Sequence, residues 1–281
     1  MSLSNKALLV NLSISQWAGR KLDRSATATV ESTYATNGKV GQYTKKLLPG
    51  SEELADIGKA VNAFRTWFYT NTLPWHGDGT RILSNANYMQ FTAEYRNYKA
   101  TFESRVARFM TEYPLLRREA QRSLGQLFNP SDYPSEASLR NAFSCDIMFM
   151  PLPDVTDFRI ELADSERQEF ESKMQEAQGR AMRDCWERVY DAVSHAVSKL
   201  KDPNAKFRDS LVENIREVCG ILPRLNITDD ANLEAMRVSI EQALTGKDAD
   251  SLRTNINERT STAKALSDIE SKMAAFMGVA S

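Results

Sequence analysis

The amino-acid sequence predicts a mainly α-helical protein with two long antiparallel helices, several shorter helices and a small antiparallel β-sheet. Apolar residues recur every three or four positions through most of the chain beyond residue 50, which is the helical period. Only 12 glycines and 9 prolines occur among 281 residues, few for an all-β fold with its many turns. The hydrophobic fraction of 42% and the charged fraction of 26% are typical of a globular protein and exclude general disorder.

The first 50 residues predict an N-terminal strand followed by a basic loop arm. Between Ala7 and Trp17, apolar and polar residues alternate, as in a strand with one buried face. Residues 18–50 are rich in Ser, Thr, Gly and Lys, which favours a loop. Within this loop we expect a short helical piece at 26–34 and a turn at Pro49-Gly50.

Residues 51–163 predict a helical region with one long helix and a small β-hairpin. Ser51 is placed to cap a first helix, whose apolar residues recur to about Thr72. A longer apolar stripe at 86–126 predicts the long helix. Because proline lacks the backbone donor, Pro114 predicts a kink or a break in it.

The predicted hairpin follows a short helix that Ser135 caps and that ends near Phe143. Short runs at 147–150 and 158–162 have the composition of strands, and the prolines between them predict a connecting turn. Together with the N-terminal strand, these two runs predict a three-stranded sheet.

Residues 164–281 predict an acidic C-terminal helical region that packs on the same core, so that the chain forms one domain overall. The stripe at 164–201 predicts the second long helix, and its small residues predict close packing between helices. We expect this helix to fold back along 86–126 as a helical hairpin. Shorter helices are predicted at about 205–220, 230–245 and 248–277, the last ending near Gly278.

The net charge of −1 is unevenly distributed. Residues 1–110 contain 14 Lys and Arg against 8 Asp and Glu, a net charge of +6. Residues 151–281 contain 18 against 24, a net charge of −6. A basic N-terminal third can steer an anionic partner to one end of the protein, or orient one copy head to tail with another.

Targeting and membrane signals are not found in the sequence. No run approaches the ~20 apolar residues that span a bilayer, and the N-terminus lacks the apolar core of a secretory signal. The three cysteines, Cys145, Cys185 and Cys219, are widely spaced and predict reduced thiols. We therefore expect a cytoplasmic protein without a membrane partner.

The sequence predicts no catalytic centre, cofactor or metal site, and hence no enzyme. His76 and His195 lack neighbours at metal-ligand spacing. Phosphate-binding glycine loops and the Gly-x-Ser-x-Gly motif of serine hydrolases are absent. Asp154, Asp157 and Glu161 cluster near the predicted hairpin, where solvated turn acids are the simpler interpretation.

One candidate surface is a nucleic-acid interface in the N-terminal third, where cations interleave with aromatic residues. Proteins that bind single strands combine such cations with stacking rings. The alternative is that the rings belong to the core. The predicted contacts are Arg20, Lys21, Arg24, Lys45, Lys46, Arg65, Arg81, Arg96 and Lys99.

The other candidate surface is a protein interface. Aromatic residues surround more of the first helix than one buried stripe requires, and a long helix with a narrow apolar seam often continues that seam in a coiled coil with another copy. We therefore expect a homo-oligomer. The predicted anchors are Phe64, Trp67, Phe68, Tyr69 and Trp75.

Four segments carry a resemblance to a known family: Asn71-Thr72-Leu73-Pro74-Trp75; Phe109-x-x-x-Tyr113-Pro114; Leu127-Phe128-Asn129-Pro130-Ser131-Asp132-Tyr133-Pro134; and Phe149-Met150-Pro151-Leu152-Pro153 followed by Asp157-Phe158-Arg159. In these segments the chain resembles an uncharacterised helical protein family of tailed bacteriophages and related mobile elements. The resemblance implies a role in the bacterial host cytoplasm among accessory or DNA-metabolism proteins, with other phage proteins, including a ring-forming ATPase, as partners. It implies no catalytic residues.

Two functional hypotheses follow. The leading one is a non-enzymatic phage-type helical protein that self-assembles or scaffolds partners during infection. The alternative is a single-stranded DNA binding or annealing protein of phage replication or recombination, which uses the basic aromatic N-terminal third.

Overall fold

The computed structural model of the protein describes residues 3–38, 40–77, 79–153, 163–202 and 204–278. Within these residues the chain is mainly helical and contains a small antiparallel sheet, so the predicted fold class is confirmed at this level. The strands are β1 (Ala7–Ser15), β2 (Arg20–Leu22), β3 (Thr44–Lys46), β4 (Leu73–Pro74), β5 (Thr80–Ser84) and β6 (Ser144–Pro151). The helices are α1 (Arg24–Thr33), α2 (Glu52–Thr70), α3 (Tyr88–Leu124), α4 (Glu136–Asn141), α5 (Asp164–Lys201), α6 (Ser210–Leu225), α7 (Ala231–Ala243), α8 (Ala249–Thr254) and α9 (Ile256–Met277).

The chain divides into two compact units, and each combines segments that are distant in sequence. The helical unit comprises Met1–Asn11, Tyr69–Phe91 and Met148–Ser281, and the aromatic unit comprises Leu12–Phe68 and Thr92–Ile147. The division of the sequence into 1–50, 51–163 and 164–281 stays a prediction.

In the helical unit, α5 is the central helix and packs along α9 and α6. The small residues of its apolar stripe, including Ala177, Ala181 and Ala196, are buried, which permits the close helix packing expected from the sequence. Both long helices occur within a few residues of their predicted bounds. Their antiparallel pairing as a hairpin stays a prediction.

Three arginines of the helical unit close the C-terminal ends of helices, where backbone carbonyls lack partners within the helix. Arg188 donates to the carbonyls of Tyr69, Thr70 and Thr72, where α2 ends. Arg216 reaches the carbonyls of Leu244 and Lys247 after α7, and the buried Arg259 reaches four carbonyls where α5 ends.

The larger sheet has the strand order β4-β5-β1-β6. Strand β1 pairs antiparallel with β5, with Ala7 opposite Ser84 and Asn11 opposite Thr80. Strands β4 and β5 were not predicted, because the glycines and the proline between 73 and 79 indicated only a helix break. The strand expected at 158–162 lies outside the described residues.

In the aromatic unit, α2 and α3 build a core that contains Ile57, Val61, Phe102 and Phe109. Helix α3 continues through Pro114, so the break considered at this residue does not occur. The side chains of Met110 and Tyr113 are buried beside the proline. We infer that this packing holds the helix together across the missing backbone hydrogen bond.

The C-terminal helices differ from prediction at two points. Helix α6 includes Pro223 and continues to Leu225, beyond the end predicted near residue 220. The single helix expected at 248–277 is divided into α8 and α9 by Asn255, whose side chain accepts hydrogen bonds from the backbone N–H groups of Asn257 and Glu258. Helix α9 ends at Gly278, as predicted, and this glycine has the left-handed conformation.

Among the helices of the described ranges, none is both long enough and apolar enough to span a membrane.

Candidate nucleic-acid interface

The first candidate site lies on a short two-stranded ribbon of the aromatic unit. We call β2 and β3, residues 20–22 and 44–46, the basic ribbon. The strands are antiparallel, with Arg20 opposite Lys46, Lys21 opposite Lys45, and Leu22 opposite Thr44. Because directly opposed side chains lie on the same face of a ribbon, these three pairs alternate between two faces.

The ribbon begins at a constrained glycine. Gly19 has a φ of +62° and is buried, and a Cβ atom at this position would lie 2.5 Å from a methyl group of Leu54. The carbonyl of Gly19 accepts a hydrogen bond from the backbone N–H of the buried Leu47, at 2.7 Å. Glycine is therefore required here both for its conformation and for space.

The inner face of the basic ribbon is neutralised. The side chain of Lys45 is only 5% exposed, and its ammonium lies 2.8 Å from a carboxylate oxygen of Asp23 and 2.8 Å from one of Asp132. It also donates to the carbonyl of Leu127 at 2.7 Å. Lys21, on the same face, lies 3.9 Å from Asp132.

The charges on this face stabilise one another. Burial by itself would lower the pKa of Lys45, but hydrogen bonds to Asp132 and Asp23 outweigh it and raise this pKa. The backbone N–H of Ala26, followed by the Lys45 ammonium, lowers the pKa of Asp23, which also caps α1. Lys45 is thus a structural cation, so it is not available for the phosphate contact predicted from the sequence.

The outer face of the same ribbon is not neutralised. Arg20 and Lys46 lie directly opposite each other, both are exposed, and neither forms an ion pair with any residue that the structure describes. Like charges at directly opposed positions destabilise a ribbon. Arg24 adds an exposed cation in the first turn of α1, which contains no acidic residue. The carboxylate of Asp23 caps this end of the helix, and an anion bound to the outer face would relieve the repulsion between Arg20 and Lys46.

Two exposed rings flank α1 and β3 in the sequence. Tyr34, which follows α1, is 75% exposed, and Tyr43, which precedes β3, is 40% exposed. The backbone N–H of Tyr43 donates to Thr27 Oγ1, and its carbonyl accepts from the N–H of Asp23, so the backbone at Tyr43 is fixed to the start of α1. Helix α1 itself buries no residue. Exposed rings of this kind can stack on nucleic-acid bases.

The predicted protein-interface anchors of α2 belong to the core of the aromatic unit. Phe64 is fully buried, and Trp67 and Phe68 are 7% and 3% exposed. The Trp67 ring stacks on Tyr98 at 4.9 Å, and its Nε1 donates to Glu94. The apparent excess of rings on α2 is explained by aromatic partners on α3, so these three residues do not present a surface to another copy.

Tyr95 and Tyr98 on α3 complete this cluster rather than forming an open stacking platform. Both rings lie within 6 Å of Phe64. Burial raises the pKa of Tyr95 to about 12 and also raises that of Tyr98. For this stretch, the alternative that the rings serve the core describes the structure better.

In the helical unit, Arg81 and Tyr69 bind each other. The Arg81 guanidinium lies 4.8 Å from the centre of the Tyr69 ring and donates to Thr72 Oγ1 at 2.7 Å and to the Thr72 carbonyl at 2.9 Å. Burial, followed by the proximity of Arg188, lowers the pKa of Arg81. Trp75 is half-buried against the core of this unit. Arg81 is therefore engaged within the protein.

The remaining predicted contacts lie on α2 and α3 of the aromatic unit. Arg65 is exposed and donates to the carbonyl of Ile14 at 3.3 Å. Arg96 is exposed, and Lys99 is half-buried. These cations lie on helices, and they do not form a directly opposed pair such as Arg20 and Lys46 of the basic ribbon.

The cysteines have the properties of inert thiols. Burial raises the pKa of Cys185 to about 12 and that of Cys219 to about 11. It also raises the pKa of the half-buried Cys145. Since the thiolate is the nucleophile, none of these side chains is activated near neutral pH.

The described ranges contain no candidate metal centre. His76 and His195 are both exposed. No three His, Cys, Asp or Glu residues of these ranges are grouped so that they could hold a metal ion. The acidic group Asp154, Asp157 and Glu161 lies outside them.

Sequence reasoning did not identify the two carboxylates that neutralise the inner face of the ribbon. Asp23 carries a signal, because it precedes a helix and is a favoured capping residue. Asp132 carries none, since it meets Lys45 across more than 80 residues of chain.

Comparison with known proteins adds no further constraint: no protein-family model, no curated protein and no solved structure matches this chain. The resemblance to a phage family therefore stays a prediction.

Proposed function

We propose that the protein is a non-enzymatic module that binds single-stranded nucleic acid through the outer face of the basic ribbon. The observation that carries this proposal is the pair Arg20 and Lys46. These cations face each other without an acidic ion-pair partner among the described residues, although two carboxylates neutralise the inner pair of the same ribbon. Acids on one face and none described on the other fit an external anion bound at the outer face.

The surroundings favour a single strand over a duplex. The charged face is narrow, since each strand of the ribbon contains three residues. Tyr34 and Tyr43 offer exposed rings, and stacking requires bases that are not already stacked in a duplex. The whole chain carries a net charge of −1, so any attraction of phosphates is local to this face.

The test is binding of fluorescein-labelled oligo-dT of about 20 nucleotides, longer than the ~4–16 nucleotides that one single-strand binding fold covers. Fluorescence anisotropy would be recorded at several salt concentrations. We expect Arg20→Ser/Lys46→Ser to weaken binding at least tenfold. We also expect a change in the salt slope, which is the slope of log affinity against log salt concentration. Its magnitude should fall by about 1.4, because each lost phosphate contact on a single strand contributes about 0.7.

The matched control is Arg105→Ser/Arg122→Ser, which removes two exposed cations of α3 and changes the net charge equally. We expect it to bind within twofold of the unaltered protein. Absence of binding by the unaltered protein at low salt would refute the proposal, and equal losses in the two double variants would show that only net charge matters.

A second proposal, self-assembly, is favoured by a different observation in the helical unit. Tyr88 and Met89 begin α3, and Met148 lies on β6, an edge strand of the larger sheet. All three side chains are exposed, Met89 by 77%, and the Tyr88 ring contacts Phe149 at 5.5 Å. Met148 is next to Phe149 on the strand and therefore points to the opposite face of the sheet. An exposed apolar side chain on an edge strand is suited to pairing with a second copy.

In this second proposal, assembly serves as a scaffold during phage infection in the host cytoplasm. The helical hairpin of the two long helices and the ring-forming ATPase partner remain predictions. Light scattering after size exclusion tests it. We expect a dimer or larger species that Met148→Lys converts to monomer, whereas a monomer at every concentration contradicts it. Lys59→Met, at an exposed site on α2, is the control.

A further inference from the structure

A second feature of the aromatic unit adjoins the basic ribbon through one shared loop. It is a groove of about 550 Å³ between the second half of α3 and residues 128–136. Clefts that hold small ligands have volumes of roughly 300–1,000 Å³. The groove is therefore large enough to hold a ligand group rather than only water.

The walls of the groove combine apolar rings and proline faces with polar groups, and its charged groups are mainly cationic. Tyr113, Phe128, Pro130 and Pro134 supply rings and proline faces, while Arg117 and Arg118 supply guanidinium groups. Glu136 is the one acid among the lining residues, which leaves a net positive charge. Neither arginine is ion-paired with any residue in the ranges that the structure covers.

The groove is held in shape by hydrogen bonds that do not consume its arginines. Tyr113 Oη donates to the carbonyl of Pro134 at 3.0 Å, and Tyr133 Oη donates to the carbonyl of Leu47 at 2.6 Å. Arg117 lies over the Tyr133 ring at 5.6 Å. A guanidinium stacked on a ring keeps its N–H groups free at its edge, where they can grip a phosphate with two parallel bonds.

The loop that lines the groove also supports the ribbon. Lys45 donates to the carbonyl of Leu127, which immediately precedes Phe128. Lys45 also pairs with Asp132, which lies between Pro130 and Pro134. The inner face of the ribbon and one wall of the groove are thus formed by the same short segment.

We infer that this groove holds one nucleotide of the strand bound at the basic ribbon, with its base against Phe128 and its phosphate on Arg117 and Arg118. The inference rests on the proposed nucleic-acid function and adds a second contact to it. A planar base suits the ring and proline walls, and a phosphate dianion or diester suits the two guanidinium groups. The protein therefore binds a strand at two points rather than at a single charged face.

Two single substitutions test the groove against the same oligo-dT. We expect Arg118→Ala to weaken binding about fivefold and to lower the salt slope by about 0.7. We expect Phe128→Leu, which keeps an apolar side chain but removes the ring, to weaken binding about tenfold with an unchanged salt slope. Arg122→Ala, one helical turn from Arg118 and equally exposed, is the control and should bind within twofold of the unaltered protein.

A second readout does not depend on affinity. Oligo-dT that contains 5-bromodeoxyuridine would be crosslinked by light, and the attached peptides identified by mass spectrometry. Crosslinks to Phe128 support the inference, and circular dichroism melting would confirm that each variant is folded.

The outcomes separate the two proposals. Binding that requires Arg20 and Lys46 but is unchanged in Arg118→Ala and Phe128→Leu, with crosslinks elsewhere, overturns the groove and leaves the ribbon intact. Absence of binding by the unaltered protein overturns both. Loss of affinity in both groove variants together with crosslinks to Phe128 supports the two-point arrangement.

Discussion

The cations of the helical unit and those of the basic ribbon show opposite ways of placing positive charge. In the helical unit, Arg188, Arg216 and Arg259 donate to carbonyls at helix ends. On the outer face of the ribbon, Arg20 and Lys46 repel each other and have no ion-pair partner among the described residues. The first group contributes to folding, whereas the second costs the fold some stability. Charge by itself does not distinguish these roles, but the local partners do.

The largest expected effect is at Arg259. Its side chain is 6% exposed and donates to four carbonyls, including those of Lys199 and Leu200 at 3.0 Å. Arg259→Met leaves these carbonyls without partners, so we expect the free energy of unfolding to fall by about 3 kcal/mol. Urea unfolding measures the change. Arg208→Met, at an exposed position, is the control and should change stability by less than about 0.5 kcal/mol.

Next in size is Lys45 on the inner face of the ribbon. Lys45→Met leaves the carboxylates of Asp23 and Asp132 without their shared cation. We expect a loss of about 2–3 kcal/mol in urea unfolding, because breaking a buried ion pair is costlier than losing an exposed one. A loss below 0.5 kcal/mol would contradict the assignment of Lys45 as a structural cation.

The control for this prediction is the pH dependence of the difference in unfolding free energy between the unaltered protein and Lys45→Met. The lowered pKa of Asp23 stabilises the fold above its ordinary value of 3.8, and this contribution is lost as the pH falls through the lowered pKa. The raised pKa of Lys45 stabilises the fold below its ordinary value of 10.5, and this contribution is lost as the pH rises through the raised pKa. The difference between the unaltered protein and Lys45→Met should therefore be constant near neutrality and shrink at both extremes.

A smaller effect is expected at Arg216, which is exposed but reaches the carbonyls of Leu244 and Lys247 at 3.2 and 2.6 Å. Arg216→Met should lower the free energy of unfolding by about 1 kcal/mol, since solvent partly replaces the lost bonds. Thermal unfolding followed by circular dichroism measures it. Arg216→Lys, which keeps the charge, should recover part of the loss. Equal stability of the unaltered protein, Arg216→Met and Arg216→Lys would show that Arg216 does not stabilise the fold.

The smallest effect has the opposite sign. Lys46→Glu converts the like-charged pair with Arg20 into an attractive one, so we expect the unfolding free energy to rise by about 0.5 kcal/mol. Urea unfolding measures it, and the same variant should lose its affinity for oligo-dT. Thr44→Glu, on the same face but opposite Leu22, tests whether any acid there has this effect. Destabilisation by Lys46→Glu would show that Lys46 is engaged within the protein.

The helical elements were predictable because each carries a strong local signal. The apolar stripes of α2 and α5 and the capping residue Ser135 placed these helices to within a few residues of their observed bounds. The strands of the ribbon carry no such signal, because three residues are too few to show a period of two. The hairpin partner of β6 was predicted at residues that the structure does not describe.

The candidate site was only partly predictable. Composition identified Arg20, Lys45 and Lys46 together, yet only the register of the ribbon shows that Lys45 belongs to a different face. The sequence predicts the rings of Phe64 and Trp67 as surface anchors, because it does not reveal their stacking partners on α3, about 30 residues further along the chain. Contacts between segments that are distant in sequence therefore decide that Lys45 is neutralised while Lys46 is exposed.

Helix α1 offers a way to follow the ribbon without knowing its ligand. None of its ten residues is buried, and isolated helices of this length are marginal in water. Its amide protons should therefore exchange with deuterium almost as fast as those of a short peptide. Any molecule that closes over Arg24 and Tyr43 would slow this exchange, so mass spectrometry of residues 24–33 could serve as a screen for unknown ligands in crude fractions.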